Sequence, residues 1–321
     1  MWEQRGQDID GESIDNESGR SVSLSSDGNT VAIGAYSDYG YTEGYTRVYD
    51  WNGGTMLWQQ RGQDIDGEAV NDGSGWSVSL SSDGNTVAIG AIGNDGNGSS
   101  SGHTRIFDYN GLTMMWEQRG QDIDGEAASD YSGYSVSLSS DGNTVAIGAT
   151  GNDGNGSKSG HTRVFDWNGG TVMWEQRGQD IDGEAASDES GGSVSLSSDG
   201  NTVAIGATGN DGNGSKSGHT RVFDWNGGTV MWEQRGQDID GEASNDRSGS
   251  SVSLSSDGNT VAIGAYYNSG NGYRSGHTRV YHWNGTLWVQ RGQDFDGEAA
   301  GDRNGSSVSL SSDGNAVAIG A

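Results

Sequence analysis

Five times along this chain four acidic residues fall at the same offsets, a pattern of oxygen donors that suits a hard cation. The sets are Asp64, Asp66, Glu68, Asp72; Asp122, Asp124, Glu126, Asp130; Asp180, Asp182, Glu184, Asp188; Asp238, Asp240, Glu242, Asp246; and Asp294, Asp296, Glu298, Asp302. Places one, three, five and nine are those from which an EF-hand loop wraps calcium. A first copy carries Asp8, Asp10 and Glu12 but Asn16 in the ninth place. Gly125 stands fourth and not sixth, so the loop is no EF-hand. Like charges this close still repel unless a cation or an arginine lies among them. Two readings stay open: Ca2+ held in the loops, or ion pairs between repeats to arginines such as Arg119 and Arg163, which recur just as regularly.

Other residues with chemical potential have simpler readings. His103, His161, His219 and His277 recur in GHTR, but the first repeat has Tyr45 there, so strand-edge histidines are expected and not ligands. The NDGNGS loops from Asn94, Asn152 and Asn210 read as surface turns. Asn97, Asn155 and Asn213 within them, with Asn16, Asn284 and Asn304, are N-x-S/T sequons. GSSSG at 98–102 matches a nucleophile pattern without the strand-to-helix turn that gives it meaning.

The elements that must position these loops are strands. SVSLSSDGNTVAIGA from Ser135 recurs with little change from Ser21, Ser77, Ser193, Ser251 and Ser307. Val136 and Leu138 alternate with serines, Val145 and Ile147 with small residues, and Asp141-Gly142-Asn143 supplies a tight turn, which together predict a β-hairpin. One face is bulky and the other carries only Ser, Ala and Gly, so similar sheets should cover it on both sides. GHTRVFDWNGG and TVMWEQRG add two more strands, and the acidic segment QDIDGEAASDYSG reads as a loop.

Trp2, Trp58, Trp116, Trp174, Trp232 and Trp288 mark one position per repeat, giving five complete repeats and a partial sixth from Trp288. A period near 58 residues with four antiparallel strands predicts an all-β chain of β-propeller blades, six or seven in number, forming one domain over 1–321. SVSLS should be the innermost strand and WEQRG the outermost. The tryptophans read as packing between blades, with sugar stacking as the other use of such rings.

The balance of 45 Asp and Glu against 17 Lys and Arg, a net charge of −28, speaks against nucleic acid as a partner, since phosphates need a basic surface. Cysteine is absent, which excludes disulfides, and no apolar run approaches membrane-spanning length. Met1 precedes Trp2 just as Met115, Met173 and Met231 precede their tryptophans, so the chain reads as a segment of a longer array.

The run SVSLSSDGNTVAIGA followed by GHTRVFDWNG and W-x-QRGQDIDGE resembles FG-GAP-type propeller repeats, the kind found in integrin α-subunit heads and in secreted bacterial and algal proteins. Ser132 stands where that family has Phe, and no proline follows Ala149. The calcium turn of the integrin-like members, D-x-D-x-D-G, is reduced here to Asp141 alone. The resemblance implies an extracellular or cell-surface propeller used in adhesion or display. Trp116–Met173 and Trp174–Met231 differ only at Tyr131/Glu189 and Tyr134/Gly192. Such uniformity leads to the expectation of no catalytic site. The expected function is a structural or adhesive module, part of a fibre or cell-surface array, that meets copies of itself or cell-surface and matrix components. A multivalent carbohydrate-binding propeller contacting glycans is the alternative.

Overall fold

The computed structural model describes residues 3–12, 17–36 and 42–321. Trp2, Asn16 and most of the first repeat's SDYGYT loop lie outside the described residues. No helix occurs among the described residues, which form five antiparallel sheets and one further hairpin. They are grouped in two compact units, Met1–Asn143 with Trp167–Trp174, and Thr144–Asp166 with Glu175–Ala321.

In the first unit the strands are β1 (Ser18–Leu24), β2 (Thr30–Ala35), β3 (Tyr45–Asn52), β4 (Leu57–Gln60), β5 (Ile65–Asp66), β6 (Ser74–Leu80), β7 (Thr86–Ala91), β8 (His103–Asn110), β9 (Met115–Gln118), β10 (Ile123–Asp124) and β11 (Ser132–Leu138). β1 to β4 pair in chain order, and β6 to β9 repeat that order about 58 residues on. The SVSL strand therefore holds one edge of each blade and the WEQ strand the other, in the predicted order. The hairpin turn closes through its aspartate: Asp83 accepts from the Asn85 N–H at 3.0 Å and the Ser81 hydroxyl at 2.7 Å, while Gly84 takes φ +69°.

Two local features depart from expectation. The acidic segment is not wholly loop, because β10 pairs with the start of β8 (Ile123 with Thr104, Asp124 with His103) while β9 pairs with its end. The fourth strand is thus split in two. Burial explains the second piece, since Ile123 is 3% exposed and the equivalent Ile65 belongs to the core. Second, the inner strand begins at Ser74, three residues ahead of Ser77, across a bulge whose Gly75 has φ +85°.

Between β1–β4 and β6–β9 the core sets Val78, Leu80, Val87, Ile89 and Phe107 against Ala32 and Val48, with Ile65 and Trp116 closing it. This is the predicted fit of bulk against smallness. The second unit repeats it, with Val252, Leu254, Val261, Ile263 and Tyr281 against Ala204 and Val222. The serines of the inner strand serve the same interface. Ser79 Oγ accepts from the Leu138 N–H at 3.0 Å, Ser77 Oγ donates to the Gly133 carbonyl at 2.8 Å, and successive hairpin turns are joined by Ser82 N–H to Ser140 O at 2.9 Å. A small polar residue is needed there because the neighbouring backbone lies too near for a larger one.

Candidate metal centre

The third strand opens on HTR in every blade but the first, and its first residues sit between two acidic loops. In the first unit β8 places His103 beneath Glu68, from the loop entering that blade, and Asp122, from the segment between β9 and β10. One donor atom of each lies within 4.8 Å of the others, and His103 Nδ1 is 4.0 Å from Glu68 Oε2. The second unit builds the same set twice. His219 Nδ1 is 3.8 Å from Glu184, with Asp238 beside them, and His277 Nδ1 is 3.8 Å from Glu242 and 3.7 Å from Asp294. His161 and Asp180, also in that unit, approach at 4.0 Å.

These imidazoles are 1% exposed, and neither nitrogen of His103 or His219, nor Nε2 of His277, has a hydrogen-bond partner. A buried ring nitrogen without a partner is costly unless a ligand engages it. Burial, reinforced by the charge of Arg105, pushes His103 down to about 4, and burial with Arg221 does the same at His219. Both rings are then neutral near pH 7, with a lone pair free to ligate. Burial pushes the Glu68 carboxyl up, and Asp122 adds to this. Each aspartate is oriented by an amide, as Gln118 donates to Asp122 at 2.6 Å, Gln234 to Asp238 at 2.7 Å and Gln290 to Asp294 at 2.6 Å. Two carboxylates and a neutral imidazole at this spacing are a donor set that can hold a divalent ion.

Three stretches, 65–107, 123–165 and 239–281, match the model of the FG-GAP repeat. Three FG-GAP repeats thus stand in this chain. No curated protein matches it in sequence. Among solved structures, the periplasmic gluconolactonase of Pseudomonas aeruginosa is similar at TM-score 0.63 and 15% identity, over 93% of this chain and 77% of that one. A Bacteroides fragilis protein described as a candidate 6-phosphogluconolactonase is similar at 0.59 and 12%, over 94% and 76%. Kuenenia stuttgartiensis hydrazine synthase is similar at 0.53 and 12%, over 98% of both chains. At these identities the likeness concerns the fold. It nevertheless corrects the expectation of no catalytic site: proteins described as lactonases share this blade architecture, so uniform repeats do not by themselves exclude an enzyme.

The blades scatter each acidic quartet instead of gathering it. The ninth-place aspartate turns inward: Asp188 accepts from the N–H groups of Glu184 and Ala185 at 3.1 and 2.9 Å, and Asp72, Asp130, Asp246 and Asp302 cap their own loops in the same way. The third-place residues Asp66, Asp124, Asp182, Asp240 and Asp296 end the short strand, where burial pushes the Asp66, Asp182 and Asp240 carboxyls up. First and fifth places do reach a common centre, but from successive repeats: Glu68 meets Asp122, and Asp64 lies elsewhere. The histidines expected at a strand edge are the third member. Their recurrence 19 residues ahead of Asp122, Asp180 and Asp238, and 17 ahead of Asp294, was the available signal.

The arginines divide likewise. Arg105, Arg221 and Arg279 lie 3.6, 3.7 and 3.6 Å from Glu68, Glu184 and Glu242. Arg119 and its counterparts instead approach an aspartate of their own blade, Arg119 to Asp108 and Arg235 to Asp224 at 3.5 Å. In the first repeat, where Tyr45 replaces histidine, Arg47 binds both Glu12 and Asp64, the latter at 2.7 Å. The repeat tryptophans pack between blades: Trp116 is 3% exposed and donates through Nε1 to the Arg61 carbonyl at 2.8 Å. Asn97, Asn155 and Asn213 each spend the side-chain amide on a loop carbonyl, at 2.8, 2.9 and 2.9 Å.

Proposed function

We propose that this FG-GAP chain is an extracellular repeat module, structural or adhesive, in which the acidic loops flanking a blade are tied together by a divalent metal ion on a Glu–His–Asp set. The observation that carries this reading is the buried imidazole, with at least one ring nitrogen lacking a hydrogen-bond partner, held between carboxylates of successive repeats and recurring at His103, His219 and His277. Near-identical blades support display of one surface many times over, toward other copies of the chain or toward cell-surface and matrix components. Calcium is the ion expected from oxygen spacing alone. A nitrogen donor beside two carboxylates favours zinc or manganese over an all-oxygen calcium cage.

Isothermal titration of the chelator-stripped chain with Zn2+, Mn2+ and Ca2+ tests it. Zinc should bind at several sites per chain, and His219→Gln should remove one. Equal zinc stoichiometry in a chain carrying H103Q, H219Q and H277Q together would reject the metal reading. For the location, protease treatment of intact producing cells should remove the chain, and complete protection would count against an extracellular module.

A further inference from the structure

Two of the places where the fifth repeat departs from its neighbours line one cleft. The loop that reads GNDGNGSKS at 151–159 and 209–217 becomes YNSGNGYRS at 267–275, and Arg247 stands where the two preceding repeats have Tyr131 and Glu189. Between this loop and the preceding acidic one lies a cleft of about 740 Å³ lined by Arg247, Tyr267, Tyr273 and Arg274. The equivalent cleft of the second repeat, about 480 Å³, is lined by neither arginine nor aromatic. Two carboxylates also border the larger cleft, but both are engaged. Asp246 accepts from the Ala243 N–H at 2.9 Å and the Asn268 amide at 3.0 Å, and Glu242 lies 3.6 Å from Arg279.

Among the described residues neither guanidinium has a carboxylate partner. Arg247 and Arg274 rest instead on the Tyr267 ring at 4.8 and 4.2 Å, and Arg274 also lies 5.0 Å from Tyr273. In a chain of net charge −28, two adjacent cations that no carboxylate pairs with form a site for an external anion. The backbone is left-handed at both arginines, as it is at Glu189 and Lys216 in the repeat before, so the fold and not the substituted residue sets their direction. Tyr273 is 69% exposed and presents a ring at the mouth. We propose that this cleft binds an acidic saccharide, the two guanidiniums taking its carboxylate or sulfate while Tyr267 and Tyr273 supply the surface on which the sugar ring packs. A guanidinium presents two parallel N–H donors that match two oxygens of a carboxylate or sulfate, and aromatic faces suit the apolar face of a pyranose. The site goes beyond the metal reading and does not depend on it.

Calorimetric titration with tetragalacturonate, a sulfated chondroitin tetrasaccharide and neutral cellotetraose tests the cleft, run once in chelator and once with zinc so that a failed metal reading leaves the result intact. At least one acidic probe should bind, more weakly as salt rises, and at least tenfold more tightly than cellotetraose. The stronger of the two identifies the anion. Arg247→Gln with Arg274→Gln should cost at least tenfold, Tyr273→Ala should weaken binding without altering its salt dependence, and Arg274→Lys should cost less than Arg274→Gln. Circular dichroism checks that each variant keeps its strands. Unchanged affinity in the double glutamine variant, cellotetraose binding equal to that of the acidic probes, or no binding of either acidic probe would overturn the proposal.

Discussion

Asp188 accepts three hydrogen bonds, from the backbone of Glu184 and Ala185 and from the Asn210 amide at 3.3 Å, while 2% exposed. Asp238, which opens the next acidic segment, lies beside His219. Equal spacing in the sequence thus gives unequal chemistry, because burial and the available donors decide what each carboxylate does. Asp188→Ala leaves three donors without an acceptor in a closed loop and should destabilise the second unit by roughly 2–4 kcal/mol, read as a lower urea midpoint. The turn aspartates behave differently again. The Asn29 N–H, with the Ser25 hydroxyl and the Asn29 amide, holds the Asp27 carboxyl down to about 2. A depressed carboxylate stabilises the fold above its ordinary value near 3.8 and loses that contribution as pH falls through about 2. Carboxyl NMR should therefore show Asp27 titrating near pH 2, and Ser25→Ala should move its midpoint upward.

At the scale of the element, the blade rests on glycine where two backbones meet. A Cβ on Gly206 would collide with the Gly249 carbonyl of the next blade and with Ser193 Oγ. Backbone cannot move aside as a side chain can, so Gly206→Ala should prevent this pair of blades from docking, seen as loss of soluble expression or a collapse in melting temperature; a native-like melt would show that the junction can open. The alternation of Val194 and Leu196 with serine, and the Asp199-Gly200-Asn201 turn, made this hairpin legible in the sequence, and with it the order of strands. Ile239–Asp240 was not legible as a strand, since two residues between glycine-rich stretches show no periodicity, and tertiary burial of Ile239 decides its state. The Glu–His–Asp set was hidden for a related reason. Its members come from separate elements, and Tyr45 made the histidine look dispensable. In that repeat the ion pair of Arg47 with Asp64 joins the two positions without a histidine, so the substitution said less about function than it suggested.

At the scale of the whole molecule, an excess of 28 negative charges must be tolerated by chains of thin, repeated cores. Self-repulsion of this size opposes compact folding, and each divalent ion placed between two carboxylates relieves some of it. The first unit holds one complete Glu–His–Asp set, at His103, and the second holds two, at His219 and His277. An ion that binds only the folded state adds about 2.7 kcal/mol per site at a hundredfold excess over its dissociation constant. In repeat proteins such local terms act nearly independently, so gains at separate junctions accumulate. Zinc should therefore raise the calorimetric melting temperature of the stripped chain by about 2–4 °C per occupied site, and His219→Gln followed by His277→Gln should each remove one site's share of that gain. If the rise persists undiminished in the double variant, the ion acts elsewhere on the acidic surface. Equal melting with zinc and with chelator would mean that the buried imidazoles are packing residues, and that neighbouring arginines alone balance the loops.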